Sequence, residues 1–282
     1  MSAPSLLPQV DLRFERRPGG VTFLARQRAG YPFHVGRVLK RSDAPPTAAC
    51  VLLQSSAGGL FEHDRVAVQL KVCSDAGARV GNAAATVVHS MTGGSAHSKV
   101  SIDVEPHAWL EYMPELSILF PHAHLVVETD VVLHPGALVM LTDSFLAHDP
   151  DAKASGFDFF DTCLTVRTED GRLLMRDRVR IDGALWATPN AGVSATYCAQ
   201  ASFFVLHRTV EQDLVSILQA AIRDHAGAYI GFGALPNQCG VFVRVLAHSG
   251  QTLRTVLALA TLAMRQTFPM TQLVVRHPET VS

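Results

Sequence analysis

The chain is short of charge. Asp, Glu, Lys and Arg make up 17% of its 282 residues, against 48% hydrophobic residues and a net charge of −1. About a quarter charged is usual for a globular protein. No basic tail or basic stripe is present, which argues against nucleic acid as a partner. Long apolar runs are missing too. None approaches the ~18 residues that would suggest a membrane-spanning helix. The N-terminal Met1-Ser-Ala-Pro-Ser-Leu-Leu-Pro8 has neither a basic segment nor an apolar core, so it does not read as a secretory signal. The five cysteines are odd in number, scattered and without a CxxC pair. Reduced thiols and a cytoplasmic location are therefore expected. No Pro/Ser-rich linker interrupts the chain, and one domain over residues 1–282 is the simplest expectation.

Strands dominate what is there. Val66, Val68, Leu70 and Val72 alternate with polar or small residues, as do Val100, Ile102 and Val104. That period of two predicts half-buried strands. Leu125–Leu133, Ala137–Leu141, Thr162–Val166, Arg172–Arg180, Ala199–Leu206 and Val241–Leu246 are further strand candidates. Three polar corners each lead through an alanine into a strand. Ala78, Ala108 and Ala137 are 30 and 29 residues apart. A period of that size predicts a helically wound stack of strands, solenoid-like or sandwich-like. Two helices are expected near the C-terminus. The first follows a capping box at Thr209–Gln212 and carries Leu214, Ile217, Leu218, Ala221 and Ile222, with Gly227 as its stop. The second carries Leu253, Val256, Leu257, Ala260 and Met264 and ends before Pro269.

Common catalytic signatures are absent: no GxSxG, no phosphate-binding loop, no HExxH. Two stretches stand out instead. Gln54-Ser-Ser-Ala-Gly-Gly-Leu-Phe-Glu-His-Asp64 joins an apolar run to the first alternating strand. Its paired glycines imply φ > 0 or close backbone approach. Glu62, His63 and Asp64 are either a solvated turn or a functional surface. In Leu110-Glu-Tyr-Met-Pro-Glu-Leu-Ser-Ile-Leu-Phe120, Glu111 sits inside an apolar strand and Pro114 forces a bend. A carboxylate so placed needs donors or a cation, or its pKa rises. It lines a polar channel or is hydrogen-bonded at a strand end. Among thirteen histidines, His122 and His124 would share one face of an extended strand. Imidazoles suit nickel, copper or zinc. A polar strand rim is the alternative. His63 is a third candidate for transient metal contact.

Taken in order, several segments resemble the D-type urease accessory proteins (UreD, or UreH in some bacteria). These are Leu12-Arg-Phe14, Gly20-Val-Thr22, Tyr31-Pro-Phe-His34, Gln54–Leu60 with Asp64, Ala83–Met91, Leu110–Pro114, Ile118-Leu-Phe120, Leu235-Pro-Asn237, Arg244–Ala247 and Arg265. The resemblance spans nearly the whole chain. It departs from the family pattern at His63 (usually Gly), Asn82 (Gln), Thr86 (Lys) and Phe157 (Glu, after Gly156). It implies a non-catalytic scaffold that binds apo-urease and recruits the F-type accessory protein and the G-type GTPase. It also implies a mainly β, helically wound fold with a helix pair. Nickel would be cargo in transit, with no tightly bound cofactor. Asp64 and Glu111 match family motifs. Together with Glu62, Glu115 and His89 they are the expected partner-facing or channel-lining side chains. A stand-alone β-rich hydrolase or metal-dependent enzyme using His and carboxylates is the alternative.

Overall fold

The computed structural model describes residues 7–151, 156–188, 190, 192–208 and 213–268. Its first strands are β1 (Val10–Arg16), β2 (Thr22–Ala29), β3 (Phe33–Val35), β4 (Ala49–Ser55), β5 (Arg65–Val72), β6 (Gly77–Asn82), β7 (Thr86–Val88), β8 (Ala96–Val104), β9 (Trp109–Met113) and β10 (Ser117–Leu119). Then come β11 (His124–Leu133), β12 (Leu138–Ala147), β13 (Phe159–Arg167), β14 (Leu173–Asp182), the short helix α1 (Gly183–Ala187) and β15 (Ala199–His207). Helix α2 (Leu214–Ile222), β16 (Ala228–Ala234), β17 (Gly240–Ala247) and α3 (Gly250–Thr267) complete the order.

The chain winds between two sheets. One runs β14-β13-β11-β8-β5-β1-β2, the other β16-β17-β15-β12-β9-β6-β4-β3. Strands β5, β8, β11 and β13 stack in parallel on one wall, and β4, β6, β9 and β12 on the other. Strands β7, β10 and the end of β12 make a short third wall, also parallel. Successive coils stack Arg65 on His97 and His97 on Val126. The mainly β, solenoid-like fold expected from the sequence is what forms.

The corner register differs by two residues from the expected one. Ala76, Ala108 and Ala137 are the equivalent positions, each buried, each donating its N–H to the carbonyl three residues earlier. Ala78 pairs with Leu110 instead. A period of two lets a slip of two preserve which face is buried, so pattern alone could not separate the registers.

Inward side chains of the two walls form one core, including Phe14, Leu70, Ile102, Leu110, Val139 and Phe204. A second core lies between the outer face of the second sheet and helices α2 and α3. Leu253, Val256, Ala260 and Met264 of α3 are fully buried there, as the 3.6-residue period predicted. The expected capping box at Thr209–Gln212 lies outside the described residues, as does Pro269. Asp213 caps α2 by accepting the Ser216 N–H, and Ser249 caps α3 through Thr252. Gly227 is not the stop of α2, which ends at Ile222, five residues earlier. A third, aromatic core gathers Phe145, Phe157, Phe160 and Trp186. All five cysteines carry free thiols. No helix among the described residues is long and apolar enough to cross a membrane.

Candidate functional site

Between the first and third cores the coil is not filled. A cavity of about 530 Å³ runs there, lined from all three walls. Residues Gln54, Ser55 and Ala57–Leu60 contribute to its lining, as do Asn82–Val87, Tyr112, Pro114 and Glu115. Gln54, Ser55, Gly58, Ala83 and Ala84 are exposed and mark its opening. Phe160 and Thr162 are buried and mark its depth. The glycine turn singled out in the sequence is thus part of the cavity mouth. Gly59 has φ 142°, and a Cβ there would come within 2.4 Å of the Val87 carbonyl oxygen. Both reasons expected for a glycine apply at that position. Gly58 has open space around it.

The interior is mixed in chemistry. Val66, Val68, Val100 and Leu141 supply apolar surface. Thr129 and Thr162 supply hydroxyls, and Asp143 a carboxylate. Asp143 sits on β12 directly opposite Ser202 of β15. Burial pushes its carboxyl up to about 6, against the pull of Arg244 and a hydrogen bond from Ser202. Arg244 is itself spoken for. It donates to Ser202 Oγ at 2.7 Å and grips both oxygens of Asp177 at 2.7 Å. Asp143 is therefore a carboxylate with an occupied cation nearby and open space in front of it. Sequence reasoning missed it because the strand was ended at Leu141. Three successive polar residues, Thr142-Asp-Ser144, interrupt the apolar run there, so local pattern carried no signal for it.

The residues singled out in the sequence fall into different places. Glu115 lines the cavity and pairs with Arg254 of α3 at 2.9 Å. Glu111 does not line it. Alternation along β9 turns Tyr112 inward and Glu111 outward, where it is 2% exposed. There its Oε2 accepts from Arg79 Nε at 2.6 Å and Arg265 Nη2 at 2.6 Å, and its Oε1 from Arg265 Nε at 2.9 Å. Burial pushes its carboxyl up while Arg79 pulls it down. Asp43 lies 3.4 Å from both Arg79 and Arg265, so the cluster ties α3 and the loop before β4 to the second sheet. Glu111 thus has its donors and lies outside the lining of this cavity.

Asp64 is half-buried and closes its own turn, accepting the Phe61 N–H at 2.8 Å. Glu62 reaches across to the next coil and accepts from Thr92 and Gly94, which hold its carboxyl below the usual range. His63 has φ 69°. That left-handed conformation suits the glycine common in the family at this position. His89 stacks on Phe61, with ring centres 4.3 Å apart, and approaches the Gly58 carbonyl oxygen at 3.1 Å. His122 and His124 do not share a strand face. His122 lies in a turn at φ 62°, and only His124 belongs to β11. They face different carboxylates, Asp158 at 3.3 Å and Asp161 at 3.4 Å. Among the described residues no three His, Cys, Asp or Glu side chains converge as a metal site.

The family departures also have places. Asn82 and Thr86 line the cavity. Phe157 is buried in the third core against Phe145, ring centres 5.3 Å apart, where a carboxylate would have no partner among these rings.

Comparison with known proteins agrees with this architecture. The sequence model of the family described as UreD urease accessory protein matches residues 8–277. Urease accessory protein UreD 1 of Pseudomonas syringae pv. syringae (strain B728a) is 40% identical over 256 residues, covering 90% of each chain. The UreD 1 protein of Pseudomonas syringae pv. tomato is 39% identical over 268 residues, covering 93% of this chain and 94% of its own. UreD of Mycolicibacterium smegmatis is 32% identical over 251 residues, covering 88% and 87%. With the family match running from β1 to beyond α3 and relatives of nearly the same extent, the chain belongs to the UreD urease accessory protein family.

Proposed function

We propose that this chain is a non-catalytic maturation scaffold. It binds apo-urease together with an F-type accessory protein and a G-type GTPase, and nickel passes through its interior on the way to the urease active site. The observation that supports this reading is the cavity inside the coil, polar in part and carrying the carboxylate of Asp143. Hydroxyls and the carboxylates of Asp143 and, at the mouth, Glu115 give a hydrated divalent cation stopping points without a closed ligand set. Conduction needs that balance: attraction enough to enter, weak enough to leave. Nickel is cargo here, and the chain needs no resident cofactor. The carboxylates at the turn and mouth, Asp64, Glu62 and Glu115, are the surface offered to partners, with His63 and His89 beside them. His122 and His124 are separate, transient contacts at most.

The test is co-expression of the cognate urease at limiting nickel, with native chain, Asp143→Asn, Asp64→Ala or no chain. Nickel content and urease activity are read, along with co-purification of urease. We expect no chain to give nickel-poor, inactive urease. Asp143→Asn should co-purify with urease yet load less nickel. Full loading without the chain overturns the scaffold reading. Full loading with Asp143→Asn overturns the passage while leaving the scaffold. Asp64→Ala should lower activation through weaker co-purification. Unchanged activation would reduce Asp64 to a structural turn residue.

A further inference from the structure

The two sheets end in four edge strands, and one differs from the rest in how it meets solvent. Edge β14 carries Arg176, Arg178 and Arg180, all exposed, and edge β2 carries Arg26 and Arg28. Edge β3 is three residues long. Charge and shortness are the ordinary guards against edge-to-edge pairing. Edge β16, Ala228-Tyr-Ile-Gly-Phe-Gly-Ala234, has seven residues and no charge.

Its hydrogen-bonding groups can be assigned from its single neighbour. Leu235 N–H bonds the Gly240 carbonyl at 2.8 Å, and His248 N–H bonds the Gly227 carbonyl at 3.1 Å. Antiparallel ladders alternate. Tyr229, Gly231 and Gly233 therefore direct their N–H and C=O groups to β17. Ile230, Phe232 and Ala234 direct theirs away from the sheet. Among the described residues no strand pairs with that side of β16.

We infer that β16 is a self-association edge, pairing antiparallel with β16 of a second copy of this chain across a two-fold axis. Charge decides the occupant. A two-fold pair sets a strand against itself, so β14 or β2 would set arginine against arginine. Only β16 among the long edges escapes this. Pairing Ile230 with the partner's Phe232 uses the free backbone groups of both. The same register sets Tyr229, 67% exposed, across from the partner's Gly233, and Gly231 across from its own copy. A Cβ at Gly231 would meet nothing within 4 Å, and its φ is ordinary, so the position tolerates a side chain in the free protein.

The test is sedimentation equilibrium of the full-length protein across the micromolar range, with hydrogen exchange of the Ile230, Phe232 and Ala234 amides. We expect a monomer–dimer equilibrium, with those three amides protected as concentration rises. Gly231→Lys should weaken association by about tenfold or more, equivalent to about 1.4 kcal/mol, in a chain that circular dichroism shows to be folded. Gly231→Gln, similar in size and uncharged, should associate more tightly than the lysine variant. A monomer throughout the range overturns the proposal. So does a dimer indifferent to Gly231→Lys, which would use another surface. A dimer seen only after truncation beyond Phe268 also overturns it for the intact chain, since residues 269–282 would then occupy the edge.

Discussion

Asp143→Asn is the perturbation whose consequences the structure fixes most closely. The carboxyl of Asp143 is raised from 3.8 to about 6 by burial. Its residual exposure is to the cavity. A raised carboxyl means that the folded state resists ionisation. The penalty is absent below the ordinary value, grows as pH rises through the interval, and is complete above about 6. A shift of about two units corresponds to about 3 kcal/mol. Asp143 is only partly buried and borders the cavity, so solvent screening makes about 3 kcal/mol a ceiling. Asparagine keeps the shape and an acceptor for Ser202 and cannot ionise. The variant should match the native protein near pH 4 and exceed it by about 1–3 kcal/mol at pH 7. Urea unfolding followed by tryptophan fluorescence at several pH values measures this. Equal stability of the two proteins from pH 4 to pH 7.5 would refute the buried-carboxylate reasoning. A native protein more stable than the variant at pH 7 would show that Arg244 outweighs burial. Gained stability together with lost nickel loading would place Asp143 among residues kept for function against stability.

Three further outcomes follow from the geometry. Glu111→Ala removes the shared acceptor of Arg79 and Arg265 and should cost about 3 kcal/mol or more in denaturant unfolding; a loss under about 1 kcal/mol would mean that water or Asp43 replaces it fully. His63→Gly relieves a left-handed backbone and should gain about 0.5 kcal/mol after the added unfolded-state entropy is subtracted; a lower melting temperature would show that the imidazole packs usefully against Gly94. Phe157→Glu restores a family residue type but buries a carboxylate among aromatic rings, and should cost about 4 kcal/mol or prevent folding. A folded variant of native stability would mean that this pocket supplies a partner for the charge.

The sequence by itself determined the class of the protein and most of its skeleton. Period-two alternation located strands such as Val66–Val72 and Val100–Val104, because each has one face in the coil and one in water. Period 3.6 located the buried stripe of α3. A recurrence near 30 residues announced the winding. The order of the family segments announced the UreD membership. Strands β1, β2, β3, β7, β10 and β16 were not among those expected; β3, β7 and β10, three residues each, are too short to show a period. What only the tertiary structure decided was direction and company. Alternation along β9 could not say which of Glu111 and Tyr112 faces the cavity, because both faces of that sheet are covered. His122 and His124 shared a face only on the assumption of extended backbone, and the turn at His122 removed it. Asp143 became the carboxylate of interest because β15 and β12 meet across Ser202 and leave space in front of it. Such meetings depend on residues far apart in the chain, and local pattern carries no record of them.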